Sequence, residues 1–226
     1  MRIHREFNNL PQDARGAVVA LGNFDGMHLG HRAVLEAAKA KAKALGAPLA
    51  VMTFEPHPRR LFNPQLPILR IVSLAERMRL LQEYGVEHVF LQRFTKHFAA
   101  TSAQDFIEKI LMQQLQVAGV VTGDNFCFGH KRGGNSTLLA EYPFEYLPVE
   151  ALQYGGEVCS STRIRSLLAV GKMQEVATLL TRPYAITGKV QKGDQRGRKW
   201  GFPTANVALR KMFYPAYGIY AGRLTP

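Results

Sequence analysis

Cysteines and long apolar runs are both scarce in this chain. Cys127 and Cys159 are the only cysteines among 226 residues and do not form a CxxC pair, which argues against a disulfide framework and a structural zinc site. No run approaches the roughly 20 apolar residues of a membrane span, and the N-terminal stretch lacks the apolar segment of a secretion signal. We therefore expect a cytoplasmic protein with two incidental thiols and no membrane association.

Acidic residues are outnumbered by basic ones, 17 Asp and Glu against 29 Lys and Arg, so the formal net charge is +12. This balance favours anionic partners, either nucleic acid or small phosphorylated ligands. Basic clusters, three of them beside glycine or Ser/Thr residues, occur at 39–43, 57–60, 129–134, 161–165 and 192–199. The arrangement fits separate phosphate-binding loops better than one basic helix or tail.

Hydrophobic residues make up 46% of the chain, enough for one good-sized core, or for one domain and part of another. Up to about residue 182, apolar runs typical of buried strands alternate with helical runs. We predict strands at 17–24, 48–58, 87–94, 118–126 and 144–152. We predict helices at 28–46, 73–85, 102–116, 160–171 and 172–180. The second of these begins with Ser73 and Glu76 at capping-box spacing. The alternation indicates an α/β fold with an open, mostly parallel sheet and helices on both faces.

The composition changes near residues 182–185. The remaining stretch is rich in Gly, Tyr, Thr and Val, with short alternating runs and no convincing helix, which predicts an all-β segment. We therefore place one domain at 1–182 and a second at 183–226. The second is small for an independent core, so we expect it to be an incomplete domain.

The stretch GNFDGMHLGH (22–31) joins the first predicted strand to the first predicted helix. If the helix begins near His28, then His28 and His31 lie on one face of its first turn. The unpaired N–H groups and the positive dipole end of that turn favour a phosphate. Glycines at 22, 26 and 30 allow close approach of the backbone. Because ligands bind at the carboxyl ends of parallel strands, the loops TFEPHP (53–58) and TGDNFCFGHKRGG (122–134) are expected at the same edge.

Two alternatives remain for the paired histidines. Metal chelation is one, although HxxH lacks the i, i+4 pairing and the Glu of HExxH, and no further ligand cluster is evident. Exposed histidines without a role are the other. The glycine-rich turn between a strand and a helix favours phosphate binding over both.

This strand–turn–helix arrangement resembles that of the HxGH nucleotidyltransferases. The resemblance implies that His28 and His31 stabilise the α-phosphate of ATP while an incoming phosphate attacks it, so that pyrophosphate leaves without a covalent enzyme intermediate. A second superfamily signature, Ser-Ser-Thr-x-x-Arg, is present as SSTRIR (160–165). It implies that Arg165 grips the β- and γ-phosphates, whereas a simple helix cap is the structural alternative for the hydroxyl residues.

The order of five motifs is more specific. GNFDGMHLGH, TFEPHP, TGDNFCFG, SSTRIR and GFPTAN (201–206) together resemble the bacterial bifunctional riboflavin kinase/FAD synthetase family over essentially the whole chain. The resemblance implies a Rossmann-like nucleotidyltransferase domain at 1–182 that converts FMN to FAD. It also implies a riboflavin kinase-like barrel beginning at 183 that converts riboflavin to FMN. Both activities use Mg²⁺ and ATP.

The resemblance also implies site residues. Those of the ATP-binding turn are Gly22, Phe24, His28 and His31. Those beside the nucleotide or flavin are Asp124 and Asn125. Those of the phosphate clamp are Ser160, Ser161, Thr162 and Arg165. Those that would hold the isoalloxazine ring are Pro56, Pro58, Phe62, Phe106 and Phe128, although plain core packing is the alternative for Phe106. Cys159 stands where the family usually carries an aliphatic residue, so we expect a small buried apolar side chain.

In the β-rich tail, the resemblance places Thr204 and Asn206 near Mg-ATP, where their hard oxygens suit magnesium. Backbone around Gly193 and Gly197 would wrap phosphates. The family pattern continues past Pro226 and includes a downstream Glu as general base, so we expect this chain to retain at most adenylylation.

Three other functions are weighed against this one. An HxGH transferase acting on nicotinamide mononucleotide or phosphopantetheine would share the first motif. A class I aminoacyl-tRNA synthetase would need a KMSKS loop, which is not recognisable. A basic nucleic-acid-binding protein is supported only by the charge. We therefore expect small-molecule partners and no nucleic acid, and nothing in the sequence specifies an oligomeric state.

Overall fold

The computed structural model of the protein describes residues 1–63, 65, 70–194, 196–208 and 212–224. In this part of the chain, a sheet of six parallel strands runs in the order β1-β4-β3-β2-β5-β6. The strands are β1 (Arg2–His4), β2 (Val18–Leu21), β3 (Leu49–Glu55), β4 (His88–Arg93), β5 (Gly119–Gly123) and β6 (Glu145–Val149). The chain leaves β2 toward one side of the sheet and later returns to its other side as β5. That change of direction opens a crevice at the carboxyl ends of β2 and β5.

All five predicted strands are confirmed, each shorter than its predicted range. The central strands β2 and β3 are buried along almost their whole length, as expected of parallel strands covered on both faces. Strand β1 was not predicted. Its three residues are mostly exposed and carry two basic side chains, so no apolar pattern marks it.

Helices cover both faces of the sheet. They are α1 (Leu29–Leu45), α2 (Pro58–Phe62), α3 (Leu74–Glu83), α4 (Lys96–Ala99), α5 (Ala103–Asp105), α6 (Ser136–Ala140), α7 (Ser161–Ala169) and α8 (Met173–Leu180). The hydroxyl of Ser73 accepts from the N–H of Glu76 at 3.1 Å, which confirms the predicted cap of α3. Gly46, at φ 61°, ends α1, because glycine adopts this left-handed conformation without a steric penalty.

The predicted helix at 102–116 differs in its winding. Helix α5 continues into a π-helix at Phe106–Gln114, and the N–H of Leu115 donates to the carbonyl of Ile110, five residues earlier. The wider turn places Phe106, Leu111 and Leu115 in the core, at spacings of five and four residues. An apolar pattern of this kind predicts a helix without specifying its pitch.

The tail is only partly as expected. Strands β9 (Val190–Gln191) and β10 (Asn206–Val207) form an antiparallel pair, which agrees with the predicted β-structure. The single-turn helix α9 (Arg196–Lys199) does not. A second antiparallel ribbon, β7 (Gln153–Tyr154) with β8 (Glu157–Val158), lies before α7 and was not predicted.

Candidate active site

A cleft of about 330 Å³ opens at the carboxyl ends of β2, β5 and β6. It is bounded by the beginnings of α1 and α7, so two helix N-termini border it. The predicted residues that line it are Gly22, Phe24, His28, His31, Asp124, Asn125, Ser160, Ser161, Thr162 and Arg165. The fold thus brings together three motifs that are spread over residues 22–165 of the chain.

The two histidines stack at the start of α1. Their ring centroids lie 3.7 Å apart with the planes inclined by 24°, and the ring of Phe24 packs against His31 at 5.2 Å. His28 is the N-cap, and its Nδ1 accepts from the backbone N–H of His31 at 3.4 Å. Because Nδ1 acts as the acceptor, the proton of a neutral His28 ring lies on Nε2, which is left to donate to a ligand.

Both imidazoles are neutral in the ligand-free protein at pH 7. Burial and the nearby guanidinium of Arg165 lower the pKa of His28 to about 4. Burial, His28, Arg77 and Arg165 lower the pKa of His31 well below its usual value. Each ring is therefore a neutral donor beside fixed positive charge.

Gly30 is required by a close approach of the backbone. A Cβ atom at this position would lie 2.9 Å from the carbonyl oxygen of Cys159 and 3.2 Å from the ring of His28. The glycine therefore lets the start of α1 pack directly on the segment that leads into α7. Cys159 itself is 5% exposed, which confirms the prediction of a buried thiol.

Replacing Gly30 with alanine is expected to lower the free energy of unfolding by about 1–2 kcal/mol, because the backbone at Cys159 has to move. Helix propensity alone would favour alanine by up to about 1 kcal/mol, so even an unchanged stability would show the crowding. Urea unfolding measures the change. Gly222→Ala, where a Cβ meets nothing within 4 Å, is the control, and a more stable Gly30→Ala protein would contradict the prediction.

Asp25 ties the histidine turn to α7. Its side chain is 5% exposed and forms an ion pair with Arg165 at 2.6 Å. It also accepts from the backbone N–H groups of Ile71 at 2.9 Å and Val72 at 3.3 Å. The hydroxyl of Ser161 donates to the carbonyl oxygen of Asp25 at 2.8 Å. The side chain predicted to grip phosphates is thus oriented by a buried carboxylate.

A second buried arginine stabilises the turn that carries the histidines, residues 22–31. Arg77 donates to the carbonyl oxygen of Asn23 at 2.7 Å and contacts the carboxylate of Glu55 at 3.3 Å. Glu55 also pairs with Arg70. Burial lowers the pKa of Arg77 to about 10, so it stays charged at neutral pH.

The hydroxyl residues before and at the start of α7 have separable roles. Ser160 caps the helix, since its Oγ accepts from the N–H of Arg163 at 3.1 Å. Ser161 fixes Asp25, as described above. Thr162 also lines the cleft. The cap interpretation therefore holds for Ser160, which lines the cleft as well.

Several predicted residues lie away from this cleft. The candidates for flavin contact, Pro56, Pro58, Phe62, Phe106 and Phe128, do not line it. Phe106 and Phe128 are 3% and 7% exposed and pack against each other in the core, whereas Phe62 is 65% exposed. The core alternative for Phe106 thus agrees with the structure.

Thr204 and Asn206 lie in the β-rich tail, and both are exposed. A Cβ at Gly193 would lie 2.0 Å from Nδ2 of Asn206, so this glycine allows the amide to cross the neighbouring loop. Among the residues that the structure describes, no group of three or more His, Cys, Asp or Glu side chains is placed to hold a metal ion.

Sequence reasoning missed several lining or supporting side chains. They include Asp25, His57, Arg59, Arg77 and Phe126. His57, Arg59 and Phe126 lie within or directly beside quoted motifs, so their position at the sheet edge was available as a signal. Asp25 lies inside the histidine turn, yet an acidic residue beside a predicted phosphate site has no obvious role until its partner is seen. Arg77 lies in a helix and carried no signal.

Acid is expected to destabilise the protein between about pH 6.5 and pH 5. Burial lowers the pKa of His4, His28, His31, His57 and His88. The unfolded chain therefore binds protons in this range while the folded chain does not, so the free energy of unfolding decreases as the pH is lowered. For His28 alone the full effect is about 3 kcal/mol at pH values below about 4.

Urea unfolding at pH 7.5, 6 and 5 measures this effect. His28→Asn is expected to flatten the dependence, because one of the buried titrating rings is gone. A free energy of unfolding that is constant from pH 7.5 to pH 5 would contradict the assignment of neutral, buried histidines.

The fold and the cleft define a class. A parallel sheet with stacked histidines at a helix start, facing a second helix start with a paired arginine, is the arrangement of a Rossmann-like nucleotidyltransferase. Family models described as FAD synthetase and riboflavin kinase match residues 10–163 and 180–225. The chain belongs to the bifunctional riboflavin kinase/FMN adenylyltransferase family.

Relatives of that name support this assignment. The Escherichia coli (strain K12) protein is 41% identical over 226 residues, which cover 98% of this chain and 72% of that protein. The Haemophilus influenzae protein is 36% identical over 98% of this chain and 73% of its own length.

Among solved structures, one from Streptococcus pneumoniae named as a macrolide-efflux protein has a TM-score of 0.85 and 32% identity, over 96% of this chain and 72% of that one. Its similarity supports the fold described above. Within the described ranges of the present chain, every helix is too short or too polar to cross a bilayer.

Proposed function

We propose that this chain transfers the AMP moiety of ATP to FMN, forming FAD and releasing pyrophosphate. A phosphate oxygen of FMN attacks the α-phosphorus of ATP, and the bond from that phosphorus to the bridging oxygen of the β-phosphate breaks. The observation that carries the proposal is the pair of stacked histidines at the α1 N-terminus, in a cleft of a chain from this family.

The residues of the cleft support each part of this reaction. The Nε2–H of His28 and the first-turn N–H groups of α1 can donate to oxygens of the α-phosphate as negative charge builds on them. Arg165 places positive charge on the opposite wall of the cleft, where the β- and γ-phosphates separate from AMP. Asp25 already fixes the orientation of that guanidinium, so less conformational entropy is lost when the triphosphate binds.

Asp124, Asn125 and Phe126 follow β5 and line the cleft. We propose that they contact the base of the nucleotide or the flavin, because an aromatic face with polar groups at its edge suits a flat heteroaromatic ring. Pro56, Pro58 and Phe62 remain candidates for the flavin, and the core position of Phe106 and Phe128 makes them support for the neighbouring loop.

Magnesium fits this proposal as a companion of the triphosphate. It would neutralise phosphate charge, and it commonly takes one or two protein ligands together with phosphate oxygens and water. In the tail, the exposed oxygens of Thr204 and Asn206 suit such a role in the riboflavin kinase half of the family. That half, matched here by residues 180–225, would use riboflavin and ATP.

We further propose small-molecule substrates and a cytoplasmic location. The thiols of Cys127 and Cys159 are both free, which suits a reducing compartment. Two of the basic clusters place Arg59 and Arg165 in the cleft, which fits bound phosphates better than a nucleic-acid backbone.

Incubation of the chain with FMN and Mg-ATP, followed by chromatography of FAD and pyrophosphate, tests the proposal. Equimolar FAD and pyrophosphate are expected. Nicotinamide mononucleotide and phosphopantetheine replace FMN in parallel reactions. Adenylylation of either, with none of FMN, would overturn the choice of acceptor while leaving the nucleotidyltransferase class intact.

A further inference from the structure

Residues 212–216 of the β-rich tail pack back against the domain that contains the cleft, and we call them the return segment. Met212 is 3% exposed, and Phe213 packs against the apolar cluster formed by α7, α8 and residues 71–72. Tyr184 holds the segment as well, because its hydroxyl donates to the carbonyl oxygen of Phe213 at 2.7 Å. The return segment therefore packs on the same core that supports the cleft.

A single peptide group connects the return segment to Asp25. The carbonyl oxygen of Arg70 accepts from the N–H of Phe213 at 2.7 Å. The N–H of the same peptide, from Ile71, donates to Oδ1 of Asp25 at 2.9 Å. Because the peptide is planar and the two bonds are in series, each strengthens the other and the group is fixed from both sides.

The return segment also holds the helix that carries Arg165. The N–H of Ala216 donates to the carbonyl oxygen of Leu168 at 2.8 Å, one turn after Arg165 on α7. Five consecutive residues thus contact both the peptide that binds Asp25 and the helix that presents its partner. Burial, and to a smaller extent the charge of Asp25, raise the pKa of Tyr184 to about 12.

We propose that the return segment is a positioning element of the adenylylation site, which it reaches through the Arg70–Ile71 peptide and α7. Residues from the part of the chain that matches the riboflavin kinase model thereby fix the Asp25–Arg165 pair in the cleft. This inference rests on the proposed adenylylation, and residues 212–216 are not among those that line the cleft.

Tyr184→Phe tests the element with the loss of one hydroxyl. We expect kcat for FAD formation to fall roughly three- to tenfold, as for the loss of one buried hydrogen bond, with KM for FMN unchanged. Phe213→Ala removes the packing and is expected to lower kcat further, whereas Phe213→Leu restores most of it. Tyr142→Phe, which loses a hydroxyl bond to Glu108 at 3.3 Å, is the matched control and keeps the wild-type kcat.

Hydrogen exchange of the Ile71 and Val72 amides separates this inference from the proposed function. Both amides are expected to exchange faster in Tyr184→Phe and Phe213→Ala, and at the wild-type rate in Tyr142→Phe. Faster exchange without FAD formation by any variant, the wild type included, would overturn the proposed function and leave the segment only a structural link. Unchanged exchange and unchanged kcat in both return-segment variants would overturn the positioning element alone.

Discussion

His28→Asn is expected to lower kcat for FAD formation by about 10²- to 10³-fold, the usual effect of removing one donor to a developing charge. Asparagine is a preferred N-cap residue, so the hydrogen bond to the N–H of His31 can be kept while the Nε2 donor is lost. FMN binding is expected to stay near wild type, because the ring acts mainly in the transition state. Steady-state kinetics and FMN titration give the two numbers.

Comparison with further variants sharpens this test. His28→Ala loses both the cap and the donor, so it is expected to lose the same activity and about 1 kcal/mol more stability than His28→Asn. His31→Ala is expected to lower kcat similarly, while His97→Ala on the surface leaves it unchanged. If His28→Asn kept wild-type kcat, the ring would not face the bond that breaks, and the mechanism proposed here would be wrong.

Asp25→Ala is expected to lower the free energy of unfolding by about 3–5 kcal/mol, the usual effect of removing one partner of a buried ion pair. The substitution leaves the guanidinium of Arg165 and two buried backbone N–H groups without their carboxylate acceptor. Urea unfolding at pH 7.5 measures the loss, and Asp25→Asn provides a milder variant should the alanine protein fail to fold.

The chain offers a matched exposed pair as a control. Asp13 and Arg2 are also 2.6 Å apart, but their side chains are 53% and 65% exposed, so Asp13→Ala is expected to lower stability by less than about 1 kcal/mol. Combining Asp25→Ala with Arg165→Ala is expected to lose less than the sum of the single losses. Equal effects of Asp25→Ala and Asp13→Ala would show that burial does not strengthen the pair.

The order of strands and helices was largely predictable, because the spacing of apolar residues and the local composition indicate which segments are buried. The five apolar strands and the helices with caps such as Ser73 followed from pattern alone. Strand β1 could not be predicted, because its own side chains show no apolar pattern. It forms a strand because it pairs with β4. The π-helical winding at Phe106–Gln114 depends on tertiary packing for the same reason.

In the candidate site, the residues whose side chains suit ligand binding were easier to predict than the residues that position them. His28 and His31 were predicted from their glycine-rich turn between a strand and a helix, and Arg165 from the resemblance of SSTRIR to a superfamily signature; the structure places all three in one cleft. Asp25 and Arg77 were missed because their roles depend on partners 140 and 54 residues away in the chain. The aromatic residues near Pro56 and Phe128 show a different limit of sequence-based prediction. An aromatic ring can contact a ligand or pack in the core, and the sequence alone does not distinguish the two.

The low pKa of His28 has a thermodynamic consequence for ligand binding. A triphosphate brings negative charge to the ring and raises its affinity for a proton, so the complex binds protons that the free protein does not. Around pH 5, nucleotide association then draws protons from the medium, and the calorimetric enthalpy varies with the ionisation heat of the buffer. The buried imidazole thereby links occupancy of the cleft to the acidity of its surroundings.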